Sequence, residues 1–298
     1  MHRRLHIEFP GAVSLVSCTS RPGRAIISDD ADVLQFLDDL AVVVAALEWR
    51  IYAWCILPDR CSFVVQTPNG DLGKGMRRFS STYTRHVNRR SNLSGKIFTG
   101  PPNVIVLDPD TWLLGVCRHV LLLPVTSGLV TSPDTWPWSS YQAAIGKNLL
   151  PDAAWSTEDL LSRFGKTREQ AIIAYTDFMQ PDAVWQDPLA HVSAPGFLGS
   201  QAFADEIAHH LAWRASDPAV AGALLLLTRP PLSQIFGHDV RNEHSQLPYR
   251  VMAAVHLGYP AVQIARYLGV HPSTVARYLR SAQQMTGYHR FHQTKDSS

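Results

Sequence analysis

The sequence is sparing with charge and more so with cysteine. Of 298 residues 17% are charged and four are cysteine. Cys18, Cys55, Cys61 and Cys117 stand far apart with no Cys-x-x-Cys pair. That spacing argues against a structural zinc site or a disulfide framework and reads as reduced core cysteine, so the localisation expected is cytoplasmic. No run reaches the ~18 apolar residues of a membrane span. The longest, near Ala41–Leu47 and Ala219–Leu227, stop well short. Leu15-Val16-Ser17-Cys18 has the outline of a lipoprotein cleavage site, but Glu8 and Pro10 interrupt the apolar stretch such a signal needs, and a buried strand is the better reading. Repeats and low-complexity tracts are missing too. A membrane protein, a small disulfide scaffold and a disordered chain are thereby disfavoured. With 46% hydrophobic residues, the sequence reads as a packed globular chain of about two domains.

Charge is segregated along the chain. Residues 71–96 hold seven Lys or Arg (Lys74, Arg77, Arg78, Arg85, Arg89, Arg90, Lys96) against Asp71 alone, and residues 250–298 hold six against Asp296 alone. The net charge of the whole is only +2, so the rest is acidic. Two basic segments on an acidic body suggest two surfaces for a polyanion.

The first half alternates strand and helix patterns. Gly11–Thr19 reads as a strand. Asp29-Asp30 precede a helical spacing through Val33, Phe36, Leu37, Leu40, Val44 and Leu47, with acids where a helix start favours them. Trp49–Leu57 and Cys61–Thr67 read as a hairpin about Pro58-Asp59-Arg60. In Asp71–Arg90, Met76, Phe79, Tyr83 and Val87 recur every three or four residues, with Arg78, Arg85 and Arg89 on the other side. Val104–Leu107 is a short strand, and Asp108-Pro109-Asp110 opens a helix that Pro124 ends. Pro133–Gly146 closes this first unit. From Leu150 onward the pattern is helical, with a Pro- and Gly-containing hinge over Pro181–Ser200. The expected organisation is an α+β domain over 1–146, a helical connector over 147–200 and a helical domain over 201–298.

Near the C-terminus, Ala261–Arg280 reads AVQIARYLGVHPSTVARYLR. An apolar-periodic helix (Val262, Ile264, Ala265, Leu268), a turn at Gly269 and a second helix opening on Pro272 make the pattern of a helix-turn-helix at about 261–280. Val275 and Leu279 would pack inward, leaving His271, Ser273, Thr274, Arg277 and Arg280 toward nucleic acid. Arg277 suits guanine, and Ser273 or Thr274 suit phosphate or base edges. Such modules often form a homodimer, although no coiled-coil heptad is present here.

Several stretches, taken in order, resemble the REP-associated tyrosine transposases, a branch of the single-tyrosine HUH transposases: RRLHIEFPGAVSLVSCTSRPGR, LEWRIYAWCILPDRCSFVVQTP, GKGMRRFSSTYTRHVNRRSNLSGKIFTG, LLGVCRHVLLLPVTSGLV and DTWPWSSYQAAIG. The resemblance spans the first 146 residues and continues more weakly through FLGSQAFADEI to the helix-turn-helix. It implies a ferredoxin-like α+β domain in which two strand histidines and a polar helix residue hold a divalent metal such as Mg²⁺, and a helix tyrosine attacks a single DNA strand.

The departures fall on the chemistry. Where the family has Pro-Asn-His-x-His, this chain has Pro58-Asp59-Arg60-Cys61-Ser62. Where it has Tyr-Ile-x-x-Asn-Pro, this chain has His119-Val120-Leu121-Leu122-Leu123-Pro124. Arg60 and Ser62 thus replace the histidines, His119 the nucleophile and Leu123 the helix ligand. Arginine has no lone pair to donate and carries a fixed positive charge. No catalytic position is intact, and no metal or other cofactor is expected. The family's Gln-Gly-Arg-Phe-Lys is here Thr99-Gly100-Pro101-Pro102-Asn103, two basic residues fewer. His119 as acceptor or base, Tyr83 as substitute nucleophile and Cys61 activated beside Arg60 are the candidates for rescued activity.

The reading that results is a DNA-binding, catalytically inactive transposase relative. Its ligand would be structured, repeated or hairpin DNA, single-stranded in part, contacted through Arg77, Arg78, Arg85, Arg89 and Arg90 and through the C-terminal module, with no membrane partner. The alternative is an active strand transferase with a relocated nucleophile.

Overall fold

A computed structural model of the chain describes residues 7–147, 157–180, 186–192, 196–237 and 245–293. They form two compact units that divide between His210 and Leu211.

The first unit is built on β1 (Ala12–Thr19), α1 (Asp30–Leu47), β2 (Arg50–Ile56), β3 (Arg60–Thr67), α2 (Leu72–Ser91) and β4 (Asn103–Leu107). β1 lies inside the sheet, antiparallel to β3 on one side and to β4 on the other. With β2 beyond β3, and a two-residue β5 (Phe197–Leu198) parallel to β4, the strand order is β2-β3-β1-β4-β5. A central strand is covered on both faces, which is why AVSLVSC is an almost unbroken apolar run rather than an alternating one.

Each face packs a different set of helices. Val16, Cys18, Cys61, Phe63 and Val65 point to one face, where α1 and α2 lie side by side and contribute Phe36, Leu40, Met76, Phe79 and Tyr83. Val13, Leu15, Val64, Ile105 and Leu107 point to the other, toward α3 (Pro109–Leu121). In β2 the alternation breaks: a register shift between Ile51 and Ala53 lets Ile51, Trp54 and Ile56 all reach the α1–α2 side.

Local chemistry sets the helix ends. Asp29 caps α1 by accepting the Asp32 N–H at 3.0 Å. The first turn of α2 is served from a distance, where the Glu8 carboxylate accepts the Gly73 N–H at 2.8 Å. Asp71 instead accepts the indole N–H of Trp49, also at 2.8 Å. That indole lies against Gly75. A Cβ at Gly75 would stand 2.2 Å from the ring, so only glycine lets α2 come this close.

α3 closes at Leu121, as expected ahead of Pro124, which occupies the first turn of a short α4 (Leu123–Thr126), where its missing N–H is harmless. Two expectations do need revising. The region after Leu150 is not purely helical, because β5 joins the sheet. Nor does the core stop near 146. After α5 (Tyr141–Ala144), α6 (Thr157–Leu161) and α7 (Arg168–Phe178) bring Leu160, Leu161, Ala171 and Tyr175 into the α3 side of the sheet. Parts of the expected hinge, 181–185 and 193–195, lie outside the described residues. Its described part supplies Leu189 and Val192 to the same core.

α8 (Gln201–Leu211) reaches the boundary between the units. The second unit contains α9 (Pro218–Leu227), α10 (Leu232–Phe236), α11 (Leu247–His256), α12 (Ala261–Leu268) and α13 (Pro272–Gln293). Leu232, Phe236, Val251, Ala254, Ile264, Ala265 and Val275 form its core. Gly269, at φ +66°, turns the chain out of α12 in the left-handed conformation that glycine adopts without strain. Val262 departs from its expected inward position and is exposed. Two residues before Ile264 it stands about 200° around the helix, opposite the buried face. Among the described residues no helix is long and apolar enough to cross a membrane.

Candidate nucleic-acid interface

Of the four positions where the resemblance implies catalysis, Arg60 and Ser62 lie on β3, and His119 and Leu123 lie on α3 and α4. Side chains alternate along β3, so Arg60 and Ser62 share a face, and Cys61 points to the other. That face is the one α3 covers, packing on β2 and β3. Ser62 is buried and its hydroxyl lies 2.9 Å from the Ser17 hydroxyl. Cross-strand register places Asn103 beyond Ser17, and Thr19 opposite Arg60. Arg60 is exposed and pairs with Asp59 at 3.2 Å. Leu123 is half-buried against the α3-side core.

A divalent metal does not fit this set. A guanidinium repels it, the Ser62 hydroxyl is engaged by Ser17, and Leu123 has no donor atom. Among the described residues no group of three or more His, Cys, Asp or Glu is placed to hold an ion.

The rescue candidates occupy different surroundings. Tyr83 is fully buried, and its hydroxyl donates to the Ile26 carbonyl at 2.6 Å. Burial, with Asp32 next, pushes its pKa up, away from a nucleophilic phenolate. Cys61 is a correction to the idea of a thiol activated by Arg60. It faces the α1–α2 core, and a hydrogen bond with Cys18, followed by burial, pushes its pKa up. His119 is largely buried on α3, with Nδ1 3.2 Å from Asp187. Burial holds its pKa below the ordinary value, although Asp187 pulls the other way.

On α2 the arginines divide into three groups. With about 100° per residue, Lys74, Arg78, Arg85 and Arg89 fall within about 60° of arc. All four are exposed, on the side away from Phe79 and Tyr83. No acid occurs anywhere between Leu72 and Ser91. Arg77 turns toward a second face shared with Ser80, Ser81 and Thr84. Arg90 departs from the group expected to meet a phosphate backbone: its guanidinium is bound to Asp29 and, at 2.5 Å, to the buried Asp32. Those two carboxylates already match its charge. Arg90 belongs to the α1–α2 packing, and nothing in the local sequence of α2 signals a partner 58 residues earlier.

On α13, Ser273, Arg277 and Arg280 share an exposed face opposite Val275 and Ala282, which are buried. Thr274 sits at the margin of that face, half-buried. His271 is committed locally, with Nδ1 2.8 Å from the Ser273 hydroxyl and accepting the Ser273 N–H at 3.3 Å. That contact caps the helix start and fixes where the Ser273 side chain begins.

Neither the Ser17–Ser62 contact nor the His119–Asp187 contact has a sequence signal, because register and tertiary packing make them. No family model and no curated protein matches the chain. A solved structure described as a REP-associated tyrosine transposase bound to a REP hairpin is similar to it, with 17% sequence identity, coverage of 53% of this chain and 92% of that one, and a TM-score of 0.42.

Proposed function

We propose that this chain binds DNA without cutting it, as an inactive relative of the REP-associated tyrosine transposases acting on structured or hairpin DNA in a regulatory or architectural role. One observation carries the binding: Lys74, Arg78, Arg85 and Arg89 form an exposed stripe on a helix with no acidic residue. Such a stripe suits a phosphate backbone, whose affinity comes from displaced counterions. The order β1-α1-β2-β3-α2-β4, with strands arranged β2-β3-β1-β4 and both helices on one face, supports the ferredoxin-like reading. The left-handed turn at Gly269 and the exposed Ser273, Arg277 and Arg280 support reading α12 and α13 as a helix-turn-helix. Inactivity is inferred from Arg60, Ser62, His119 and Leu123, which offer neither a metal-binding set nor a tyrosine nucleophile.

The test is fluorescence anisotropy with hairpin and duplex oligonucleotides over a salt series, followed by a denaturing gel in Mg²⁺ and in Mn²⁺. Expected are low-salt binding that weakens steeply with salt, intact strands and no covalent adduct. No binding at low salt, or a cut strand, overturns the proposal. The alternative of a relocated nucleophile draws on His119 beside Asp187. It requires an adduct that survives denaturation and disappears in His119→Ala.

A further inference from the structure

The second face of α2 borders a groove of about 620 Å³, closed on its far side by the segment 96–102. Met76 and Phe98, both buried, lie at its base, and Pro101 and Pro102 form one wall. Ser80, Ser81 and Thr84 set three hydroxyls along the helix side, and Arg77 and Lys96 stand at the rim. Among the described residues no Asp or Glu is part of its lining, and the Glu8 carboxylate is held on the Gly73 N–H at one end.

We infer that this groove seats one unstacked base of single-stranded DNA, with the neighbouring phosphates on Arg77 and Lys96. The inference rests on the DNA-binding reading of the first unit and adds a site to it. A base is flat and apolar on its faces and polar at its edge, and it comes attached to an anion. The groove offers the matching parts: an apolar base and wall, hydroxyls able to donate or accept at an edge, and cations outside. Its size is that of a small-molecule site rather than of a duplex. Duplex bases, held in their stack, do not enter a groove of this kind without being extruded. The division of α2 then has a physical sense. Lys74, Arg78, Arg85 and Arg89 follow a backbone, whereas Arg77 turns with the hydroxyls toward a place where a base can be received.

The experiment uses the full chain and a single-stranded oligonucleotide of about 12 nucleotides carrying 2-aminopurine, beside a duplex of the same sequence. Expected on binding is a change in 2-aminopurine emission, because the fluorophore leaves its neighbours for the groove. Ser81→Leu with Thr84→Leu fills the groove, and should weaken single-strand binding about tenfold and abolish the change while leaving duplex binding alone. Arg77→Ala with Lys96→Ala, at exposed positions that leave the core intact, is the second variant. It should weaken single-strand binding while some emission change remains at saturation. Full single-strand affinity and an unaltered emission change in the filled variant, with its thermal melt preserved, overturn the groove and leave DNA binding standing. Should the filled variant fail to fold, unchanged single-strand affinity in Arg77→Ala/Lys96→Ala overturns it instead. Absence of binding to either oligonucleotide by the unaltered chain at low salt overturns the DNA-binding reading, and this inference with it.

Discussion

α2 and α13 carry charge of one sign and present it differently. On α2 the cations Lys74, Arg78, Arg85 and Arg89 are long side chains spread over several turns, set on a helix anchored to a sheet through Phe79 and Tyr83. On α13 the exposed face begins with short Ser273, and the arginines come one and two turns later. The first arrangement suits an extended backbone, and the second lets a helix start come near base edges. Similar local charge in a sequence therefore does not mean similar recognition. What matters is how far the charge stands from the helix and how many turns it covers.

The variants that would break this comparison begin with the largest effect. Replacing Lys74, Arg78, Arg85 and Arg89 together by alanine should lower the slope of log affinity against log salt by about three for single-stranded DNA. The measurement is anisotropy over a salt series, and a slope that does not move would remove α2 from the interface. Arg277→Ala should act differently, weakening a preferred duplex about tenfold or more and reducing discrimination between sequences while the salt slope falls by about one. If it weakens all duplexes alike, α13 is only a second backbone surface.

Stability sharpens the contrast. Gly75→Ala gains about 1 kcal/mol of helix propensity. However, it drives a methyl into the Trp49 indole, and overpacking of this kind costs about 1–3 kcal/mol. Urea unfolding should show a net loss, with the second unit's duplex binding kept. Arg90→Ala should lower the urea midpoint, because Asp32 is left buried without its cation, and should leave the salt slope where it was. A changed slope would return Arg90 to the DNA surface.

The smallest effect is proton-linked. Burial holds His119 below its ordinary value of about 6.5. Below that pH the unfolded chain takes up a proton that the folded chain resists, so stability falls as pH falls and is regained above it. His119→Gln should flatten the fall. An identical pH profile in the variant would show that Asp187 keeps the imidazole protonatable after all.

Much of the fold was legible because its elements bury one face each. The spacing of Val33, Phe36, Leu37 and Leu40 gave α1 its inward side, and that of Met76, Phe79, Tyr83 and Val87 gave α2 the same. Less was legible where distant chain decides. Residues 157–180 look like a connector by pattern, yet Leu160, Leu161 and Tyr175 fill the space beside α3. The same limit applies to the candidate site. Charge counts found α2, but only the folded chain separates Arg90, held by Asp29 and Asp32 at the start of α1, from Arg89 beside it. Val262 misled because it is apolar at the wrong angle.

The register shift in β2 has a consequence for how this chain can change. Ile51 and Trp54 are three residues apart, a spacing that regular pleating would send to opposite faces. Their common direction depends on a count of residues rather than on the identity of any one. Across this stretch the protein should accept conservative exchanges of one apolar residue for another. Loss or gain of a single codon between Ile51 and Ala53 would turn Trp54 and Ile56 away from α1 and α2. The position is tolerant of spelling and intolerant of length.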